Sequence, residues 1–164
     1  MEVVRTARLV LSRVTADDLD AVHEIHSDPR TSVYHPDGPV TDVESSRAML
    51  DLWLADWEER GLGYWAVRRT GESHVLGFGG LRRAVVDQEE VLNLYYRFRP
   101  SAWGQGYALE LAKAALRVGE GLGGPVVAVI REVNEPSRKV AEKAGMHKDR
   151  TIPYGGVPSD VYVA

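Results

Sequence analysis

The sequence predicts a single domain of the mixed α/β class (α+β mixed), built on a six- to seven-stranded, mostly antiparallel sheet with helices on its faces. Three observations predict it. Between Leu62 and Arg99 apolar residues recur with a period of two in "GYWAVRR", "HVLGFGGLRRAVV" and "EVLNLYYRFR", broken only by "TGES" and "DQEE". Turns that short join antiparallel strands. Beyond them, "YALELAKAALRVGEGL" is rich in strong helix formers and leads into the apolar run "PVVAVIRE", a helix returning to a buried strand. The length of 164 residues suits one core, so the domain is taken as 1–164.

The elements follow in order. "ARLVLSRV" (Ala7 to Val14) alternates around Leu9 and Leu11 and reads as a strand. "TADDLDAVHEIHSD" opens with Thr15 and Asp18 as a near capping box and spaces Leu19, Val22 and Ile25 as a helix does. "PRTSVYHPDGPV", with three prolines and a glycine, is a loop. A second helix runs from Thr41, with Glu44 as its capping partner, to Gly61, about 30 Å at 1.5 Å per residue. Met49, Leu52, Trp53 and Trp57 are expected on one face of it, the tryptophans as core. After the three antiparallel strands come the glycine turn, the long helix and the buried strand. "NEPSRKVAEKAG" is then a capped short helix, and "MHKDRTIPYGGVPSDVYVA" two strands about a Pro/Gly turn.

Composition narrows the function. With 44% hydrophobic and 27% charged residues the chain is an ordinary globular one. There are no cysteines, which excludes disulfides, thiolate catalysis and cysteine zinc sites and agrees with a reducing, cytoplasmic location. The five histidines show no ligand spacing, so no metal is expected, and His23, His26, His74 and His147 default to the surface. "MEVVRTARLVLSR" does not read as a signal peptide, and no apolar run approaches the ~18 residues of a membrane span. A net charge of −4 gives no global field for nucleic acid. Any phosphate site must be local.

The local candidate is "RFRPSAWGQGYALELAKAAL", Arg97 to Leu116, with no acidic residue between Arg97 and Leu109. At the start of the following helix several N–H groups lack acceptors and the peptide dipoles add roughly half a positive charge. Gly104 and Gly106 let an anion approach those donors, and Arg97, Arg99, Lys113, Arg138 and Lys139 are available to add charge. Two other readings stand beside this one. The glycines suit a plain strand-to-helix turn, and Glu132 sits where a dinucleotide-binding acid would. Against the dinucleotide, Leu109 occupies the third glycine position and the preceding strand carries charges.

"FRPSAWGQGYALE" followed by "VNEPSRKVAEKAGM" resembles the acyl-coenzyme-A-binding core of the GCN5-related N-acetyltransferases (GNAT), in particular the ribosomal-protein N-acetyltransferase-like, RimJ/RimL-type branch. The family signature falls on Trp103, Gly104, Gln105, Gly106, Tyr107 and Ala108. Tryptophan at its first position departs from the wider family and is usual in the branch. The resemblance extends from "RLVLSRVTADDLDAV" to "SDVYVA" and implies a GNAT fold whose central parallel strands splay. It implies acetyl-coenzyme A as co-substrate, its pyrophosphate held by the amides from Gly104 to Ala108. Arg97 and Phe98 match the positions that donate to and accept from the pantetheine arm. Asn134 and Ser137 match residues that contact that arm near the sulfur, Ser137 as a donor to the departing thiolate. Asn134 equally suits an N-cap, and Arg138 either a phosphate contact or a solvated face.

The implied activity is transfer of acetyl from acetyl-coenzyme A to a primary amine by direct attack in a ternary complex. Such transfer needs an unprotonated amine and a proton for the thiolate. Relatives place a glutamate base on the strand before the glycine turn; here that position is Asn93, which takes up no proton at neutral pH. The expectation is a water relay oriented by Asn93, with Asp87, Glu89 and Glu90 as alternative carboxylates. Tyr34 and His35, in the proline-rich loop, are candidates for substrate contact, and Tyr154 and Tyr162 are weaker ones. The acceptor is left as a small molecule or a peptide N-terminal amine, with net acidity favouring a cation. Nucleic acid and membrane are not expected as partners, and homodimers are frequent among similar proteins. Two rival functions are an acyl-coenzyme A sensor without transfer and a small dinucleotide-binding redox domain.

Overall fold

The computed structural model describes residues 2–164. In chain order the strands are β1 (Val3–Arg5), β2 (Leu9–Arg13), β3 (Tyr64–Arg69), β4 (Val75–Val86), β5 (Glu89–Phe98), β6 (Val126–Arg131), β7 (His147–Tyr154) and β8 (Val157–Val163). The α-helices are α1 (Leu19–Ser27), α2 (Val43–Arg60), α3 (Tyr107–Glu120) and α4 (Glu135–Lys143). One sheet holds all the strands, in the order β1-β2-β3-β4-β5-β6-β8-β7. Its only parallel neighbours among the described residues are β5 and β6. No helix is long and apolar enough to cross a membrane among the described residues.

The expected mixed sheet is present, with eight strands rather than six to seven. The addition is β1, three residues long and too short to show a period of two. The β4–β5 hairpin turns at Asp87 and Gln88, both with positive φ (50° and 69°), as a tight twisted hairpin requires. Helix α2 begins one residue later than expected. Its cap is Asp42, whose carboxylate accepts from the Ser45 N–H at 2.7 Å, a charged cap at the positive helix end that displaces Thr41. Its buried stripe is Ser46, Leu50, Trp53 and Trp57, while Leu52, expected on that face, is 59% exposed.

The two sheet faces have different covers. Trp53 of α2 and His26 of α1 pack on Phe78 and Tyr95, placing both helices over the face that presents alternate β5 residues Asn93, Tyr95 and Arg97. The opposite face carries Leu92, Leu94, Tyr96 and Phe98. A Cβ on Gly119 of α3 would meet Leu81, Leu92 and Val126, so α3 lies there, and Ser137 of α4 meets Tyr96 on the same side. Buried Trp65, Phe78, Leu81 and Leu111 anchor the core, each worth roughly 1.5–3 kcal/mol of transfer free energy.

Packing shapes the sheet where the central strands part. Gly77 and Gly79 of β4 stand opposite Phe98 and Tyr96, and a Cβ at either glycine would come within 2.7 Å of Phe98 Cδ1 or 2.8 Å of Tyr96 Cβ. The missing side chains let β5 follow β4 closely to its end, where Arg99 N–H still donates to Leu76 O at 2.9 Å. β6, in turn, follows β8 from Val127 to Arg131. Between β5 and β6 the register holds only at Leu92–Val126 and Asn93–Val127, after which the strands diverge.

Candidate active site

The divergence leaves backbone groups open. Leu92 N–H donates toward the β6 side, to Pro125 O at 2.8 Å, and alternation directs the peptide groups of Leu94, Tyr96 and Phe98 the same way. Past Asn93, no strand among the described residues pairs with that edge. The carbonyls of Tyr95 and Arg97 face β4 instead, only 2.6 and 2.5 Å from where Cβ atoms on Gly79 and Gly77 would stand. Of the pair expected to present main-chain groups to the opening, Phe98 does so, and Arg97 borders it through its side chain. The Phe98 carbonyl also accepts from Trp103 Nε1 at 3.0 Å.

The glycine turn lies at the end of β5. Gly104 and Gly106 adopt φ of 75° and 81°, the left-handed region that disfavours a Cβ. Apart from its chain neighbours, nothing among the described residues stands within 4 Å of a Cβ built at Gly104, so the turn is open there. Gly106 is the N-cap of α3 and offers no side chain, so Tyr107, Ala108 and Leu109 begin the helix with N–H groups lacking intrahelical acceptors. Gln105 is held locally: its amide donates to Ser101 O at 3.3 Å and its Oε1 accepts from Tyr107 OH at 3.2 Å. Tyr107 is buried, leaving its N–H as what it presents at the turn.

Arg8, which the sequence did not single out, fixes this turn. Its Nη1 donates to Gln105 O at 2.8 Å, its Nε to Glu110 Oε2 at 2.8 Å, and its guanidinium lies over the Tyr107 ring at 4.7 Å. Other cations take different places. Arg99 is buried, with Nε donating to Val75 O at 2.7 Å and Nη1 to Glu24 at 2.6 Å. Arg138 donates to Tyr162 OH at 3.3 Å and Glu132 O at 3.0 Å, and Lys139 pairs with Glu135 at 3.0 Å.

Across the opening, Asn134 caps α4, its Oδ1 accepting from Ser137 N–H at 3.2 Å. Tyr96 OH donates to Ser137 Oγ at 3.2 Å, which leaves the serine proton free for another acceptor. Burial raises the Tyr96 phenol above its ordinary value, against the opposing Ser137 bond, so it stays protonated at neutral pH. Tyr96 too was missed in the sequence. Its signal lay in "LYYRF", where adjacent tyrosines must point to opposite faces.

Asn93 stands at the point of divergence, its Oδ1 buried and without a hydrogen-bond partner. Beside it, Tyr95 OH meets His26 Nε2 at 2.7 Å. The other ring nitrogen, Nδ1, faces Val22 O at 2.8 Å and must carry the proton, so Nε2 accepts and Tyr95 donates. His26 is therefore a core residue and not the surface histidine expected; at 1% exposure, burial and then the Arg97 charge lower it to about 3. Asp87, Glu89 and Glu90 lie at the hairpin end of β5, roughly 10–20 Å along the strand from Asn93. Asp87 pairs with Arg150 at 3.2 Å. These carboxylates do not reach the branch point.

The loop bearing Tyr34 and His35 leans on the β7–β8 turn, where Pro36 Cγ would be 3.2 Å from a Cβ on Gly155. Tyr34 is half-buried and His35 is more exposed, though still partly covered. Partial burial, then Arg97, then Arg131 outweigh Asp37 and hold the His35 imidazole below its ordinary value. Tyr162 packs inside the sheet at 1% exposure, and Tyr154 is exposed.

An open strand edge, an uncapped helix start behind two left-handed glycines and a pair of hydroxyls thus surround one opening. A family profile described as acetyltransferase (GNAT) domain matches residues 8–147. The chain belongs to the GNAT acetyltransferase family. Among its relatives, the uncharacterized protein YkkB of Bacillus subtilis is 36% identical over 119 residues, 67% of each chain. A GNAT-family acetyltransferase from Bacillus anthracis superposes with a TM-score of 0.78 at 27% identity, covering 98% of this chain and 95% of that one. RimL, a ribosomal L7/L12 alpha-N-protein acetyltransferase solved with coenzyme A, shares the fold with a TM-score of 0.78 at 17% identity, over 99% and 97% of the two chains. The donor arrangement fits the coenzyme: clustered N–H groups suit a diphosphate, and the open edge of β5 suits an amide-bearing arm.

Proposed function

We propose that this protein is an N-acetyltransferase that moves the acetyl group of acetyl-coenzyme A to a primary amine by direct attack in a ternary complex. The observation that carries this is the divergence of β5 and β6 beside the uncapped start of α3. Acetyl-coenzyme A, when bound, supplies an activated acyl group as a thioester. The amides from Gly104 to Ala108 hold its pyrophosphate, with Trp103 and Gln105 shaping the turn. Tyr96 and Phe98 offer main-chain groups to the pantetheine amides, and Arg97 flanks them with its side chain. Such unpaired groups are costly unless a ligand satisfies them. Asn134 positions Ser137, which holds its hydroxyl proton for the leaving sulfur while Tyr96 OH donates to the serine oxygen. Arg138, engaged by Tyr162, contributes at most a solvent-side charge to a phosphate.

On the amine side, Asn93 orients water that carries the amine proton away. Its buried, unpartnered Oδ1 is an acceptor for that water's hydrogen. Tyr34 and His35 border the acceptor. No metal takes part in this scheme. The work is that of a cytoplasmic enzyme acting on a small amine or a peptide N-terminus. Release of free coenzyme A, followed with a thiol reagent across an amine panel, together with the mass of the acetylated product, tests the proposal. Amine-dependent thiol release with a product heavier by one acetyl group is expected; coenzyme binding without turnover on any amine would contradict it. That outcome is the second reading, an acyl-coenzyme A sensor, which the amide at Asn93 favours. The dinucleotide alternative fits poorly, because β5 lies antiparallel to β4 and Leu109 occupies the third glycine position.

A further inference from the structure

Arg97 and Arg131 each stand four residues beyond the last parallel pair, Asn93–Val127, one on each lip of the opening. The equal and even offsets put both side chains on the face covered by α1 and α2, the face of Asn93. Both charges also push the His35 imidazole down, against Asp37, which pushes it up. Other arginines near this face are neutralised: Arg82 by Asp56, Arg99 by Glu24 and Arg30 by Asp28. Arg97 and Arg131 have neither an ion-pair nor a hydrogen-bond partner among the described residues, and Arg97 only lies over the Tyr95 ring at 5.7 Å. The Arg131 Nε is buried and unsatisfied, and so is the Ser32 hydroxyl, one turn before His35.

Two uncompensated guanidiniums on opposite lips repel each other, and a buried N–H without an acceptor costs free energy. An oxyanion between them removes both penalties, and the planar guanidinium fork matches it geometrically. We infer that the amine acceptor carries an oxyanion, a carboxylate or a phosphate, that docks between Arg97 and Arg131 and sets its amine toward Asn93. This rests on the acetyltransferase reading and names its substrate class. It reverses the preference for a cationic acceptor that net charge suggests, because nearby charges weigh more at the opening than the chain's net −4.

The test uses the full chain saturated with coenzyme A and compares matched amines: free amino acids against their amides, O-phosphoethanolamine against ethanolamine, and spermidine as the polycation. Affinity is read by NMR titration, and kcat/KM with acetyl-coenzyme A wherever turnover occurs. At least one anionic series is expected to exceed its neutral partner by about tenfold or more, a typical effect of charge-assisted hydrogen bonds. Which series does so identifies the oxyanion. In Arg131→Gln, and separately in Arg97→Gln, that ratio should collapse toward one, with Arg131→Lys retaining part of it. If the variants fail to fold, the wild-type ratios and their decline with added salt decide alone. Coenzyme binding with no preference for either anion, or with spermidine preferred, overturns the inference and leaves the acetyltransferase reading intact. Absence of coenzyme binding overturns both.

Discussion

Asn93 concentrates the chemical question, since it puts an amide at the branch of the sheet, where the proposed transfer would need a proton acceptor. Asn93→Glu places a titratable group there, and the pH–rate profile should gain an ionisation on its acid limb; an unchanged profile would remove this position from proton handling. Gly106→Asp sets a carboxylate among the donors proposed to hold a diphosphate. It should weaken coenzyme A binding at least about a hundredfold while far-UV circular dichroism stays native, because aspartate tolerates the left-handed φ of 81° better than most residues. His26 gives a prediction for stability. Folded His26 resists protonation down to about 3, whereas unfolded histidine protonates near 6.5. The unfolded state therefore binds more protons between those values, and stability falls as pH drops through that window. Urea unfolding from pH 6.5 to 5, where most carboxylates remain ionised, should show a loss approaching about 1.4 kcal/mol per pH unit from His26. His35, shifted in the same direction, adds a smaller loss of the same sign. In His26→Phe the slope should shrink; an unchanged slope would mean that His26 is not buried neutral.

Among the elements, β4 and β5 set the geometry on which the opening depends. Gly79→Val would place a branched side chain against Tyr95 O and Tyr96 Cβ, within 2.6 and 2.8 Å for the Cβ alone. A destabilisation of about 1–3 kcal/mol by urea unfolding is expected, with weakened coenzyme affinity as β5 shifts; a neutral effect would mean that β5 does not need its close approach to β4. Much of this architecture was legible in the sequence. The period-two runs and short turns announced β3 to β5, and the glycine turn marked the start of α3. Four features were hidden for physical reasons. β1 is too short to carry a period, and the α2 cap moved by one residue because Asp42 competes with Thr41. Leu52 turned outward because the tryptophans took the inner stripe. His26 went inward because Tyr95, distant in sequence, supplies its hydrogen bond.

For the molecule as a whole, the candidate site divides into two sides. The turn from Trp103 to Ala108, on which the proposed coenzyme side rests, was readable because a helix start and left-handed glycines are local features. The proposed acceptor side was not, because it is made by register: Arg97 and Arg131 come to the same face of the two parting strands only after β5 and β6 have paired. Net charge is a poor guide to the acceptor for the same reason, since it averages over surfaces remote from the opening. Isothermal titration of the folded protein with acetyl-coenzyme A and with free coenzyme A reports on the opening and the glycine turn together. One site per chain with comparable heats for both forms is expected; no measurable heat with either would contradict the reading of the parted strands as a coenzyme-binding cleft.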